Sequence, residues 1–242
     1  MDNELTTFHA GDTIVAANAG WTFSGKTVAA FDTHAPKSIP LYHEGHDLIV
    51  KLSDFFLSDD SVCYEIGCST AELTKQLAIN CKEKDVEIIG VDREADMISA
   101  AKEKCSAYPQ VSFICDDILD IDLKKSDLII LYYTLQFIKP KVRQLVVDKI
   151  YNALNWGGAL IMFEKVRAND ARFQDIATSL YTEFKLAQGF TAGEILAKSR
   201  SLKGVLEPFS TTGNKDLLTR AGFVDILSVM KYVCFEGFLA IK

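Results

Sequence analysis

No C-x-x-C pair occurs among the six cysteines of this chain, no basic start of the signal-peptide kind opens it, and basic residues are outnumbered by acidic ones, 26 to 33. Each shortage excludes something. Of Cys63, Cys68, Cys81, Cys105, Cys115 and Cys234, several lie in strand-like or helical apolar stretches, where free thiols pack well, so a reducing cytoplasm is the expected location. The first five residues, Met-Asp-Asn-Glu-Leu, are acidic, and the longest apolar run, around 128–138, is interrupted by Thr134 and Gln136, which argues against export and membrane insertion. A net charge of −7 offers no overall positive field to a phosphate backbone, so nucleic acid is not an expected partner. His43 and His46 stand three residues apart, yet no further Cys, His or Asp grouping completes a ligand set; both are expected at the surface, with no metal.

What is present is an ordinary globular composition, 48% apolar and 24% charged over 242 residues, enough for one continuous α/β core with an appendage. From residue 61 onward, short β-branched runs (SVCYEI, EIIGV, VSFIC, LIILYY, ALIMFE) alternate with amphipathic helical stretches, which implies βαβ units and a parallel sheet. Ser69 begins S-T-A-E, a capping-box pattern with Glu72 three residues on, and Pro140 sits where a helix should start before Trp156-Gly157-Gly158. The last segment, 222–242, reads as two strands without a helix between them, an antiparallel hairpin completing a seven-stranded, mostly parallel Rossmann-like sheet. The expected organisation is a core of 61–165 and 222–242, a helical cap inserted at 166–221 (helices near 171–187, 191–203 and 214–221), and an N-terminal helical segment, 1–60, with helices near 26–34 and 38–57 that complete the cap.

An open parallel sheet binds ligands beyond the carboxyl ends of its strands, at the switch point, where a glycine turn feeds a helix. Gly67 occupies that turn in Tyr64-Glu65-Ile66-Gly67-Cys68-Ser69-Thr70. A single glycine there, in place of G-x-G-x-x-G, points away from a dinucleotide and toward a nucleoside-sized ligand such as S-adenosylmethionine, whose α-carboxylate suits free N–H groups of the turn and whose α-ammonium suits Glu65. Asp92 closes EIIGVD twenty-five residues later, placed to accept from both ribose hydroxyls, with Arg93 beside it; Asp117 follows the third strand, placed for the adenine amino group, with Ile118 over the ring. Tyr132, at the end of the fourth strand, directs its ring toward the sulfonium for about 0.5–2 kcal/mol of cation–π attraction, and Tyr133 should face the opposite side.

With Ser38-Ile-Pro-Leu-Tyr42, Gly67-Cys-Ser69, Tyr133-Thr-Leu-Gln-Phe137, Trp156-Gly-Gly-Ala159, Glu164-Lys165, Phe184-Lys185 through Gly189-Phe190, Glu194-Ile195 and Leu239-Ala-Ile-Lys242, nearly the whole chain resembles the carboxy-S-adenosylmethionine synthase family. That family is a branch of the class I methyltransferase-like proteins and modifies the cofactor with prephenate. The resemblance implies S-adenosylmethionine as cofactor, contacts from Tyr42, Gly67, Cys68, Ser69, Asp92, Asp117 and Ile118, and a homodimer. Two positions depart from the family: its Asn after the fourth strand is Tyr132 here, and its carboxylate-gripping Arg after a Lys is Ser199, with Arg200 one place later. Arg200 is therefore the candidate replacement for the missing guanidinium, although one residue on a helix turns a side chain by about 100°.

These departures order the functional expectations. First stands methyl transfer to a small molecule under the helical cap, with no general base required of the protein. Next come cyclisation of the cofactor alone to azetidine-2-carboxylate and methylthioadenosine, with Tyr132 shaping the folded conformer, then the family's carboxyl transfer from prephenate, and, from another class, a protein that binds the cofactor without turnover. The partners implied are a small-molecule substrate or the cofactor alone.

Overall fold

The computed structural model describes residues 7–242; residues 1–6, the stretch read above against a leader, lie outside the described residues. The chain begins with a small hairpin, β1 (Thr7–His9) and β2 (Val15–Ala17), which the sequence pattern did not announce. Then follow α1 (Lys26–Ser38), α2 (Tyr42–Ser53), β3 (Ser61–Ile66), α3 (Glu72–Asn80), β4 (Val86–Asp92), α4 (Ala95–Lys104), β5 (Val111–Cys115), β6 (Ser126–Tyr132), α5 (Pro140–Ala153), β7 (Leu154–Lys165), α6 (Ala171–Ala187), α7 (Ala192–Ser201), α8 (Thr211–Ala221), β8 (Asp225–Tyr232) and β9 (Phe235–Ile241). None of the described helices is long and apolar enough to cross a membrane.

Strands β3 to β9 form one sheet in the order β5-β4-β3-β6-β7-β9-β8, parallel from β5 to β7 and antiparallel through β9 and β8. The seven-stranded, mostly parallel α/β sheet read from the sequence is thus the observed one. Its inner strands β3, β4, β6 and β7 are largely apolar on both faces because helices cover both. Ile129 and Leu131 of β6 point into a core with Val146, Val147 and Ile150 of α5, while Leu128 and Ile130 face Leu73 and Leu77 of α3 and Ile49 of α2. Between β3 and β6 the strand order reverses direction, and there the crevice opens.

Pro140 is the first residue of α5, as its fixed φ and missing N–H favour. Ser69 is not the cap of the next helix: α3 starts at Glu72 behind Ala71, which is left-handed at φ 63° and makes no side-chain cap. The reason is that Ser69 is itself left-handed at φ 50° and its N–H is engaged by Asp92. A capping box does occur, at Thr191 and Glu194 of α7. In the stretch 166–221, α6 and α7 supply walls of the crevice, whereas α8 buries Leu217 and Leu218 in the core against α5, where Gln144 Nε2 donates to the Leu217 carbonyl at 3.2 Å.

Candidate functional site

The crevice is a cavity of about 350 Å³, near the lower end of the roughly 300–1,000 Å³ typical of small-molecule sites. Its floor is the carboxyl ends of β3, β4 and β6, and its far walls are α1, α2, α6, α7 and the 21–24 stretch that follows the first hairpin.

At the floor, Gly67 has φ 76°, and a Cβ there would strike the Thr134 side chain, so no other residue fits the turn. The turn N–H groups are already engaged: those of Gly67 and Cys68 donate to the Val91 carbonyl at 2.7 and 3.1 Å, and that of Ser69 to Asp92 Oδ2 at 2.9 Å. The expectation that the turn offers free donors to an α-carboxylate therefore does not hold at these three positions. Asp92 also accepts from Glu94 N–H through Oδ1 at 3.0 Å, so its carboxylate is held rigidly on the cavity wall with lone pairs left for hydroxyl donors. Burial pushes its pKa up, against those two N–H donors. Asp117 and Ile118 line the same end; Asp117 Oδ1 accepts from Leu119 N–H at 3.0 Å and Ile118 is buried. Arg93 is there too, mostly exposed and 3.4 Å from Glu94.

Glu65 lines the cavity fully buried, with the Thr74 hydroxyl donating to it, and burial pushes its pKa up to about 8, so the carboxyl carries a proton near neutrality. One layer out, Thr70 Oγ1 donates to Asp32 of α1 at 2.5 Å and Lys104 bridges Asp32 and Glu72 at 2.7 and 3.2 Å, fastening α1 over the turn.

Above the floor stands a ring cluster. Tyr132 packs 5.3 Å from Tyr42, 4.6 Å from His46 and 4.6 Å from Tyr133 between ring centroids. Tyr42, Tyr132 and Tyr133 all line the cavity. Tyr133 does not face the other way: its φ of 57° breaks the alternation of the strand and swings it to the same side. His46 is buried where a surface position was expected; it lies between the tyrosines, its Nδ1 has no partner among the described residues, and burial lowers its pKa to about 4. His43 is exposed, as read.

The opposite wall is cationic. Lys165, at the end of β7, and Lys198, on α7, both line the cavity. Lys165 Nζ sits 4.1 Å over the Tyr181 ring, and Lys185 lies 4.5 Å over the same ring just behind. Lys198 Nζ is 4.7 Å from the Trp21 ring centre and donates to Ser38 Oγ at 3.0 Å and to His34 Nε2. None of the three forms an ion pair with a carboxylate among the described residues. Desolvation and mutual repulsion bring Lys198 down to about 7 and Lys185 to about 8. Arg200, expected at the reaction centre, is not among the cavity-lining residues: it is exposed, with its guanidinium 5.6 Å from the Phe8 ring, and Ser199 is exposed beside it. Lys165, Lys198, His34, Trp21 and Tyr181 were not singled out from the sequence, although Lys165 and Lys198 fall at or beside segments that carry the family resemblance.

A methyltransferase-domain model matches residues 64–158. The chain is 35% identical over 221 residues, 91% of its own length and 94% of the relative's, to carboxy-S-adenosyl-L-methionine synthase from Campylobacter lari, and 34% identical to that from Staphylococcus epidermidis, covering 92% and 97%. The Campylobacter jejuni protein of the same name is 38% identical, covering 91% and 93%. Among solved structures, an O-methyltransferase family protein from Burkholderia thailandensis superposes with a TM-score of 0.64 at 14% identity, over 90% of this chain and 60% of that one. The S-adenosylmethionine-dependent methyltransferase SibL superposes at 0.59 and 15% identity, over 83% and 55%. At these identities the structures speak for the class I methyltransferase fold alone.

Proposed function

The chain belongs to the family of carboxy-S-adenosyl-L-methionine synthases and is an S-adenosylmethionine-dependent enzyme, and from that premise we propose that its second reactant is a small carboxylic acid whose carboxyl group it transfers to the methyl carbon of the cofactor. The observation that carries this is the pair of ammonium groups, Lys165 and Lys198, facing the cavity without carboxylate partners among the described residues. The carboxylates of the lining, Glu72, Asp92, Glu94, Asp116 and Asp117, all lie on the floor side, beside the protonated Glu65. A cavity that is acidic at one end and cationic at the other suits a reactant with hydroxyl and amino groups at the first and carboxylates at the second.

The bound cofactor would supply a methyl group acidified by its sulfonium. The residues suited to hold it are Asp92 for the ribose hydroxyls, Asp117 and Ile118 for the adenine, and Tyr42, Gly67, Cys68 and Ser69 around the methionyl part. Lys165 and Lys198 would fix the donor acid and balance the charge on its carboxylate, while the rings of Tyr42, Tyr132 and Tyr133 keep water from the space between. The carbon–carbon bond to the donor's carboxyl group would break as the new one forms, and the proton lost from the methyl would go to the donor's departing fragment or to the hydroxide that this fragment expels. With the turn N–H groups engaged, the same ammonium groups would also serve the cofactor's own α-carboxylate.

One observation favours a second reading, methyl transfer to a small acid: exposed Ser199 and outward Arg200 leave the cavity without the family's guanidinium. Mass spectrometry of reactions with S-adenosylmethionine alone and then with prephenate decides. Cofactor heavier by one carboxyl group, only with the acid present, is the expected result. S-adenosylhomocysteine with a methylated acid would establish the second reading, and methylthioadenosine formed from the cofactor alone would overturn both in favour of cyclisation.

A further inference from the structure

An ammonium group enclosed by aromatic rings loses hydration, and three lysines close together repel one another, so Lys198 needs a compensating negative charge to stay protonated. Among the described residues, the one carboxylate that supports it is not in contact with it. Asp12 stands at the tip of the first hairpin, and its Oδ2 lies 2.8 Å from His34 Nδ1. With Nδ1–H donating to that oxygen, the lone pair of His34 Nε2 is free to accept a hydrogen bond from Lys198 Nζ. Burial keeps the imidazole neutral, its pKa lowered to about 4. Trp21 stacks on the ring at 5.9 Å and Phe190 meets it edge-on at 5.5 Å, so the imidazole cannot turn away.

We propose that Asp12 and His34 are positioning residues that hold the Lys198 ammonium charged and aimed into the cavity for an anionic reactant, an inference that rests on the function proposed above. The hairpin is built for this delivery. Gly11, at φ 93°, passes so close to the Phe190 ring that a Cβ would collide with it, and Asp12 follows at φ 48°. The stretch after the hairpin is fastened to the helix that carries Lys198, since Ala19 N–H donates to the Arg200 carbonyl at 3.0 Å and Trp21 N–H to that of Ser201 at 3.1 Å. Asp12 and Lys198 therefore sit on interlocked elements, with the imidazole between them.

The charged groups bearing on Lys198 are Lys185 from α6 and Lys165 from β7, which disfavour its charge, and Asp12 from the hairpin, which favours it. Lys37 of α1, 2.5 Å from Asp12 Oδ1, neutralises part of that carboxylate. A salt bridge that only fastened the hairpin would alter stability and leave the titration of Lys198 where it is. Labelling lysines with 13C, assigning the Lys198 signal through Lys198→Arg, and following it with pH separates the two cases without any substrate. The wild-type midpoint is expected near 7. Asp12→Asn should lower it by about one unit, and Lys37→Met, which frees Asp12 of its surface partner, should raise it. Midpoints that stay put in Lys37→Met, or that move the same way in both variants, overturn the inference; Lys37→Met keeps the test alive if Asp12→Asn fails to fold. Because the signal is read on the protein alone, loss of the carboxylated product in the mass assay would sink the proposed reaction and leave this result standing, and the reverse holds equally.

Discussion

The Tyr132 hydroxyl donates to the main-chain carbonyl of Tyr42 at 2.6 Å, so the side chain that departs from the family pattern is tied to the first turn of α2. The approach is possible because Gly45, on the next part of that turn, has no side chain: a Cβ there would collide with the Tyr132 hydroxyl. In an open helix Gly→Ala gains up to about 1 kcal/mol, but here overpacking of about 1–3 kcal/mol opposes it. Gly45→Ala is expected to lower the urea midpoint, and adding Tyr132→Phe should recover most of the loss. A double variant no better than the single one would show that the hydroxyl is not what Gly45 accommodates.

Tyr132 alone gives a cleaner test of its role. Removing the hydroxyl should cost about 1 kcal/mol of stability and leave turnover close to wild type, because the ring still closes the space between Tyr42, His46 and Tyr133. Tyr132→Ala opens that space and should reduce kcat at least tenfold. Equal turnover in the two variants would reduce Tyr132 to packing.

Asp92 is oriented by two N–H donors before any ligand arrives, and its substitution should therefore act on cofactor affinity and on the turn together. Each ribose hydrogen bond to a carboxylate is worth about 1.5–3 kcal/mol, so Asp92→Ala should weaken S-adenosylmethionine binding at least tenfold by calorimetry. Unchanged affinity would remove Asp92 from the site.

The alternation of strand and helix, the sheet and its terminal hairpin are legible in the sequence because both faces are buried and the apolar runs are long enough to show a period. The first hairpin is not, since three-residue strands such as Thr7–His9 carry no period and are held by Trp21, Leu202 and Phe190 from elsewhere in the chain. Tyr133 was misplaced for a local reason: alternation ends where the backbone turns left-handed, and its φ of 57° has no signature in Tyr-Tyr-Thr. Asp92 and Asp117 were readable because strand ends recur at fixed places in this fold. Lys165 and Lys198 were not, because a lysine in a sequence reads as a solvated group; the hints were their place at or beside segments that carry the family resemblance and, for Lys165, its position directly after the apolar run ALIMFE, since strand ends of that kind border the crevice.

Glu65 gives the protein a pH signature. Its folded pKa, raised to about 8 by burial, exceeds the roughly 4.3 of an unfolded glutamate, so between these values the folded state holds a proton that the unfolded state has released. Its contribution is present in full below about pH 4 and is lost as pH rises toward 8, by up to about 1.4 kcal/mol per unit. Glu65→Gln, which imitates the protonated form and can still accept from Thr74, should be as stable as wild type at pH 5 and more stable at pH 8. Urea titrations at the two pH values read this directly, and an equal difference at both would contradict the assignment of a buried proton.

Lys198 and Arg200, two residues apart on α7, should answer oppositely to substitution. Arg200 is exposed over Phe8 and outside the cavity, so Arg200→Ala should leave turnover unchanged and cost no more than a weak surface contact. Lys198 lines the cavity, and its ammonium is desolvated and repelled by Lys185 and Lys165. Lys198→Met removes that penalty while keeping the length of the side chain, so Tm should hold or rise. At the same time the KM for the acid should increase at least tenfold, with a smaller change in cofactor affinity than Asp92→Ala causes. The combination of retained stability and lost acid binding marks a side chain kept for its charge; loss of activity in Arg200→Ala with Lys198→Met unaffected would return the missing guanidinium to position 200.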